Sequence, residues 1–154
     1  MWQRKQTVFL LIVGVCMLAS IFFPIWHSHS DGIQKALFPL HYTVTEGDVK
    51  TTLYFPFSLT AICAVAAATI AFFEIGKFQN RLLQIKLGAF NSLFMAGNIG
   101  AAVYFATDLI KTNQVAGEYG VALFLPIVAM VSNMVANRFI RKDEKLVRDS
   151  DRLR

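Results

Sequence analysis

The apolar residues of this chain are gathered into four long stretches separated by polar segments. The stretches cover residues 8–26, 53–73, 87–106 and 119–139. A helix needs about 20 apolar residues to cross the hydrocarbon core of a bilayer. A lone strand would leave backbone groups unpaired in lipid, and barrel strands alternate apolar with polar residues. The pattern therefore predicts an all-α membrane protein, a single domain over residues 1–154 built as a bundle of four transmembrane helices.

The first stretch has a second interpretation, because it follows two basic residues and precedes a Ser-rich segment. That arrangement resembles a secretory signal peptide. The apolar region of a signal peptide is only about 7–15 residues long, and this stretch is longer. We therefore predict a retained membrane anchor and keep cleavage as the alternative.

The polar segments predict a small β-hairpin and a helical tail. The first outer loop, residues 27–52, carries Thr- and Val-rich runs on either side of a Gly-centred turn, which is typical of a hairpin. Ahead of it, residues 33–40 are predicted to form a short helix or an irregular segment. The tail, residues 140–154, lacks Gly and Pro, and Glu144 and Arg148 stand four apart, which favours a helix.

Composition and charge agree with a membrane location. The chain is 55% hydrophobic and 16% charged, with a mean hydropathy of +0.49, which excludes an ordinary soluble domain and a disordered chain. Of the 15 Lys and Arg residues, 12 lie at the N-terminus, in residues 74–86 or in the tail, and 3 lie in the other two loops. The positive-inside rule then places both termini in the cytoplasm. The net charge of +5 is thus a sign of orientation, and nucleic acid is not an expected partner.

The basic tail has two explanations, which stay open. Basic residues beside a membrane span contact anionic lipid heads, at about 1 kcal/mol each. The same residues can also dock onto a partner protein. They are Arg138, Arg141, Lys142, Lys145, Arg148, Arg152 and Arg154.

Small residues on the third stretch predict where it packs. One row repeats every four residues and a second pair lies beside it; together they are Gly88, Ser92, Ala96, Gly97, Gly100 and Ala101. Small side chains let two helix backbones approach closely in lipid. We expect packing within one chain, with contact between two copies as the alternative.

Asparagines predict a polar seam between the third and fourth helices. Its members are Asn91, Asn98, Asn133 and Asn137. Hydrogen bonds between helices explain such a seam, at about 0.6 kcal/mol each; a ligand site or substrate path is the alternative. Buried ionisable groups usually mark a path, and the apolar stretches contain none, since Glu74 and Lys86 are predicted to lie at a boundary. The pattern therefore favours packing and disfavours an ion-coupled transporter.

Candidate catalytic chemistry is sparse. His27, His29 and His41 fall in the first outer loop, but their spacing matches no zinc pattern, so we expect no metal and no cofactor. Cys16 and Cys63 lie inside apolar stretches and are predicted to be small packing side chains. The chain has no nucleophile–base set, phosphate loop or paired carboxylates in a plausible pocket, so we expect it not to be an enzyme.

Both ends of the chain resemble one family. The start, residues 2–7, and the tail, in residues 136–138, 140–148 and 151–154, are similar to Bacteroidota inner-membrane proteins known as domain of unknown function 4293. In length and number of spans the resemblance covers the whole chain. It implies a four-span, multi-pass protein of the bacterial inner membrane. It implies no catalytic residues, and a definite tail sequence implies docking as well as charge.

These observations lead to an expected function and two alternatives. We expect a non-catalytic accessory or scaffold subunit of a larger membrane assembly, with the lipid bilayer and a membrane protein as partners. The first alternative is a small transporter or lipid-binding protein that uses the polar seam, which a cavity between the third and fourth helices would support. The second is an outer-face metalloenzyme, which requires His27, His29 and His41 to lie close together.

Overall fold

The computed structural model describes residues 5–30, 32–114 and 117–152, and this part of the chain forms four helices and five strands. The helices are α1 (Lys5–Ser20), α2 (Ser58–Gly76), α3 (Arg81–Asn113) and α4 (Val121–Arg152). The strands are β1 (Trp26–Ser30), β2 (Ile33–Leu37), β3 (Tyr42–Glu46), β4 (Val49–Leu53) and β5 (Glu118–Tyr119). Helix contacts run from α1 to α2, α2 to α3, α3 to α4 and α4 back to α1, so the four helices form a closed ring.

The five strands form one antiparallel sheet in the order β4-β3-β2-β1-β5. Trp26 in β1 pairs with Leu37 on one side and with Tyr119 on the other. The turn between β3 and β4 contains Gly47 at φ +57°, a conformation that other residues rarely adopt. The sheet lies at the end of the ring where α1 ends and α4 begins, which we call the sheet end; the opposite end is the tail end.

The prediction of an all-α four-span bundle is wrong in two respects. The chain carries a five-stranded sheet, and within residues 5–30, 32–114 and 117–152 only α2, α3 and α4 are long and apolar enough to cross a membrane. Helix α1 is apolar but has 16 residues. The predicted hairpin is confirmed as β3–β4, although it is one part of a larger sheet. Residues 33–40, predicted as helix or irregular, begin with strand β2.

The apolar stretches and the helices also have different bounds. The stretch over residues 8–26 contains α1 from Val8 onward and the first residue of β1, and the stretch over residues 53–73 begins at the last residue of β4. Helices α3 and α4 run past residues 87–106 and 119–139, and α4 continues into the tail as far as Arg152. Strand pairing explains the first difference, because the sheet satisfies backbone groups around Trp26 that the end of a longer helix would leave free.

Two apolar clusters fill the interior. The sheet-end core joins the sheet to α3 and α4, and consists of Ile25, Trp26, Leu37, Tyr42, Ala102, Phe105, Ala106, Leu109 and Ala122. The mid-helix core consists of Val13, Met17, Ala64, Ala67, Ala68, Ala71, Met95 and Ala129. Four of these eight side chains are alanines of α2. Such small side chains allow α2 to approach its neighbours closely.

Candidate functional site

The four asparagines of the predicted polar seam are all buried, but they contact two different helices. The Asn133 Nδ2 on α4 donates to the Gly88 carbonyl at 2.8 Å and to the Ser92 Oγ at 2.9 Å, both on α3. Asn137 packs directly against Gly88. Asn98 instead donates to the carbonyl of Thr60 on α2, at 2.7 Å. The seam between α3 and α4 is therefore formed by Asn133 and Asn137, and Asn98 belongs to the α2–α3 contact.

Glu74 is the main departure from the sequence-based expectation. It was predicted to be a boundary residue, yet it is fully buried at 0% exposure, two residues before the end of α2. Ala64, Ala67 and Ala71 precede it at helical spacing on the buried face, so Glu74 points inward with them. Both carboxyl oxygens are buried with no hydrogen-bond partner among the described residues. The spacing of the alanines is the signal that could have revealed this burial.

Gln84 connects the start of α3 to the end of α2 by a hydrogen bond. Its Nε2 donates to the main-chain carbonyl of Glu74 at 2.9 Å. Its own Oε1 is buried without a partner within the described residues. Gln84 is seven residues before Asn91 and fourteen before Asn98, so all three lie on one face of α3. Gln84 was not among the residues predicted from the sequence, although its spacing to Asn91 and Asn98, in multiples of seven residues, places it on the same helix face.

The buried polar atoms near the tail end have far more acceptors than donors. We call Glu74, Gln84, Asn91, Asn133 and Asn137 the buried oxygen cluster. Within the described residues, the buried side-chain atoms of this cluster that have no hydrogen-bond partner are Glu74 Oε1 and Oε2, Gln84 Oε1, Asn91 Oδ1 and Nδ2, Asn133 Oδ1 and Asn137 Oδ1. All but one are oxygens. Because an unpaired buried carboxylate is costly, this excess of oxygen favours a positively charged ligand.

The predicted small-residue faces divide into two groups. Gly88 and Ser92 contact α4, and a Cβ on Gly88 would collide with the Asn137 amide. Ala101 packs against the sheet-end core. The others, Ala96, Gly97 and Gly100, are exposed, and a Cβ on either glycine would meet open space. The close packing of α3 on α4 is thus concentrated towards the tail end.

A groove of about 540 Å³ lies between α3 and α4. Its lining consists of Ala89, Ser92, Met134, Asn137, Arg138 and Arg141. This groove opens on the outer side of the helix ring, beside the close contact of Asn137 with Gly88. The transporter or lipid-binding alternative, which called for a cavity between these two helices, therefore stays a prediction. Two of the lining residues are arginines.

The tail is an exposed continuation of α4. Arg138, Arg141, Lys142, Lys145 and Arg148 are all exposed. Arg152 is the last residue of the helix, and Arg154 lies outside the described residues. The start of α3 holds this extension in place, because the Arg81 Nη1 donates to the Asp143 carbonyl at 2.7 Å.

The structure does not bring the three histidines together. His27 and His29 on β1 line a cavity of about 420 Å³ with Glu118, and His27 Nε2 is 4.0 Å from Glu118 Oε2. His41 precedes β3, on the far side of β2, and stacks on Phe38. Burial, and then the Lys50 charge, lower the pKa of His41. No group of three His, Cys, Asp or Glu side chains in the described ranges is placed to hold a metal ion.

Three helices able to cross a membrane make a membrane location plausible. The chain belongs to the family described as Domain of unknown function (DUF4293), whose model matches residues 2–153. This confirms the family resemblance of the two ends. Comparison with curated proteins gives no significant match. Function must therefore be argued from the buried oxygen cluster, the groove and the tail.

Proposed function

We propose that this chain is a small ion-binding transport protein of the membrane, in which the Glu74 carboxylate binds a proton or a small monovalent cation. The observation that carries the proposal is the complete burial of Glu74, whose two carboxyl oxygens have no hydrogen-bond partner in the described part of the chain. Ionisable groups inside membrane proteins are rare and mark ion pathways or coupling sites. The sequence-based case against such a protein depended on the absence of a buried ionisable group.

The rest of the buried oxygen cluster supports the same proposal. Gln84 is held beside Glu74 by its hydrogen bond to the Glu74 carbonyl, and its side-chain oxygen is unpartnered. Gln84 and Asn91 are seven residues apart, about 10 Å along the helix axis at 1.5 Å per residue. Amide and carboxylate oxygens are suitable ligands for small hard cations. We propose that these oxygens continue the path from Glu74 towards the middle of α3, with no catalytic step and no resident cofactor.

The orientation in the membrane is also a proposal. The strong excess of basic residues at the tail end supports a bacterial inner-membrane protein with both termini in the cytoplasm. Single cysteines replacing Lys145 or Asp48, in a chain lacking Cys16 and Cys63, test it in intact cells. A membrane-impermeant maleimide should label the Asp48→Cys variant, and the Lys145→Cys variant only after lysis. The reverse pattern would contradict this orientation.

Labelling with dicyclohexylcarbodiimide tests the role of Glu74 directly. This reagent modifies carboxyl groups in apolar surroundings, and mass spectrometry of peptides locates the modification. We expect labelling of Glu74 in the purified chain and none in the Glu74→Gln variant. Glu118 is a matched control, because its side chain is 88% exposed; the Glu118→Gln variant should be labelled like the unaltered chain.

Protection of Glu74 from labelling by salts, and ion flux into vesicles that contain the chain, then identify the ion. Protection of Glu74 by sodium or potassium chloride, but not by choline chloride, would identify a metal cation. Labelling that depends on pH but not on salt would identify a proton. In either case, vesicles containing the chain should show flux of that ion that is lost in Glu74→Gln and kept in Glu118→Gln. An unlabelled Glu74, or unchanged flux in Glu74→Gln, would refute the proposal.

A second candidate function is an accessory subunit of a larger membrane assembly, which the exposed tail favours. Leu146 on the α4 extension is 61% exposed, as is Leu82 at the start of α3. Together with the basic side chains, these leucines form a surface suited to a partner protein. Affinity purification in mild detergent should recover a stoichiometric partner that Leu146→Glu loses and that Val49→Glu keeps, because Val49 is 67% exposed on β4 at the sheet end. Recovery of the chain alone at native expression would count against this candidate.

A further inference from the structure

The groove between α3 and α4 has a chemistry that the ion-binding proposal does not use. It lies on the outer side of the helix ring, because Ala89, Met134, Arg138 and Arg141 in its lining are all exposed. Its volume of about 540 Å³ is within the range of sites for small molecules. No acidic side chain is part of its lining. Such a groove accommodates an anion.

The face of α4 that lines the groove with Met134, Arg138 and Arg141 extends towards the sheet end to Ile127, outside the lining, and changes from apolar to basic along its length. Ile127, Met134, Arg138 and Arg141 follow one another at intervals of seven, four and three residues, which places them on one helix face. Ile127 is 43% exposed and Met134 is 57% exposed. The face is therefore apolar towards the sheet end and doubly charged towards the tail end. An anionic phospholipid has the same order of groups, with an acyl chain followed by a phosphate.

The opposite wall and the floor provide space and a polar contact. Ala89 and Ser92 on α3 are small, which leaves room for a ligand beside α4. Asn137 lies between the two walls and is only 9% exposed. Its position is fixed by close packing against Gly88. A ligand in the groove would thus contact a rigid amide as well as two flexible arginines.

The two arginines suit a phosphate group in particular. Arg138 and Arg141 are three residues apart, and side chains at that spacing are neighbours on a helix surface. A guanidinium group presents a planar set of donors that matches the oxygens of a phosphate. Basic pockets between membrane helices on the cytoplasmic side are typical sites for anionic lipid heads.

We propose that the groove binds one anionic phospholipid, whose phosphate contacts Arg138 and Arg141 and whose acyl chain lies along Met134 and Ile127. This site does not include Glu74 and shares Asn137 with the buried oxygen cluster. It does not depend on ion transport. It also divides the basic tail into two groups, since Arg138 and Arg141 line the groove whereas Lys142, Lys145 and Arg148 do not.

Native mass spectrometry of the full chain in a neutral detergent, titrated with phosphatidylglycerol, tests the site. We expect one phosphatidylglycerol to bind more tightly than any further molecule, and more tightly than phosphatidylcholine. The Arg138→Gln/Arg141→Gln variant should lose about 30-fold in affinity, from about 1 kcal/mol per basic residue. The matched control is Lys142→Gln/Arg148→Gln, which removes the same charge outside the groove and should bind normally.

Two further measurements separate a lipid from a soluble phosphate compound and from general charge attraction. Met134→Gln should weaken phosphatidylglycerol binding, because the acyl chain would lose an apolar contact. Glycerol phosphate should compete poorly. Equal losses in both double variants would overturn the proposal in favour of unspecific attraction to the tail. Full competition by glycerol phosphate, with no effect of Met134→Gln, would overturn it in favour of a soluble phosphate compound.

Discussion

The two ends of the helix ring have different kinds of interior. At the sheet end, Trp26, Leu37 and Phe105 fill an apolar core, in which the Trp26 Nε1 and the Tyr42 hydroxyl are buried without a partner among the described residues. At the tail end, Glu74 and Asn91 are equally buried, and the groups without a partner in the described part of the chain are a carboxyl and an amide. An unpartnered buried polar group costs about 1–3 kcal/mol, and more when it is charged, so we expect the larger cost at the tail end.

The contrast separates the parts that hold the fold from the parts available for function. The sheet-end core is large and apolar, and it joins β1, β2, α3 and α4. The buried oxygen cluster weakens the opposite end, and the groove and the tail also lie there. Substitutions of single buried residues at each end test this division, because they should change the free energy of unfolding in different directions.

The largest expected effect is at Trp26, which is fully buried in the sheet-end core. Trp26→Ala should lower the free energy of unfolding by about 3–5 kcal/mol, as expected for a large aromatic removed from a core. Thermal unfolding in detergent measures the change. The control, Phe22→Ala, should have little effect, because Phe22 is 79% exposed. A loss below about 1 kcal/mol at Trp26 would show that this core does not hold the sheet to the helices.

At Glu74 the expected effect has the opposite sign. Glu74→Met keeps a similar volume and removes the buried carboxyl, so unfolding should require about 1–4 kcal/mol more, as in other replacements of buried charges by apolar side chains. Thermal unfolding in detergent without added salt measures this change. Glu118→Met on the exposed β5 should leave stability unchanged. Destabilisation by Glu74→Met would mean that the carboxyl serves the fold.

Two glycines of α3 form the next comparison. Gly88→Ala should cost about 1–3 kcal/mol by overpacking, because the new Cβ would collide with the Asn137 amide. Gly97→Ala should be neutral or slightly stabilising, since its Cβ would meet open space and alanine favours helix. Chemical denaturation of both variants measures the difference. Equal stabilities would indicate that α3 and α4 separate easily at Gly88.

The smallest expected difference is between two asparagines on one face of α3. Asn98→Leu removes a hydrogen bond to Thr60 and should cost about 0.6 kcal/mol, the average for such bonds in membranes. Asn91→Leu removes no hydrogen bond within the described residues and should be neutral or stabilising. Paired unfolding curves of the two variants give the difference directly. A larger loss at Asn91 would reveal a structural partner for its amide.

Local patterns predicted part of the sheet and missed the rest. The β3–β4 hairpin was predictable because both strands and their turn are adjacent in sequence. Strand β1 was missed although it pairs over its whole length with β2, the next strand in the chain, and the sequence Asp31-Gly32 between them is typical of a tight hairpin turn. Its start was assigned to the first apolar stretch, which extends to Trp26. The second partner, β5, lies far along the chain, and no local pattern indicates that pairing.

The candidate site was also predicted only in part from the sequence. The burial of the four asparagines followed from helical spacing within apolar stretches. Glu74 was misjudged because its position near the end of an apolar stretch was considered without its helix face, which the preceding alanines define. The groove could not be predicted, because its volume depends on how side chains of α3 and α4 pack around the contact between Gly88 and Asn137.

The attachment of α4 to the sheet has a mechanical consequence. Beside the β1–β5 pairing, the Gly120 amide donates to the Ile25 carbonyl at 2.8 Å, and the Ala122 amide donates to the Pro24 carbonyl at 3.3 Å. These bonds fasten the start of α4 to the segment that follows α1. At the other end of the ring, the hydrogen bond from Arg81 to the Asp143 carbonyl holds α4 a second time. Helix α4 is therefore supported at two points, and Arg138 and Arg141 lie between them, whereas the tail beyond Asp143 extends past the second support.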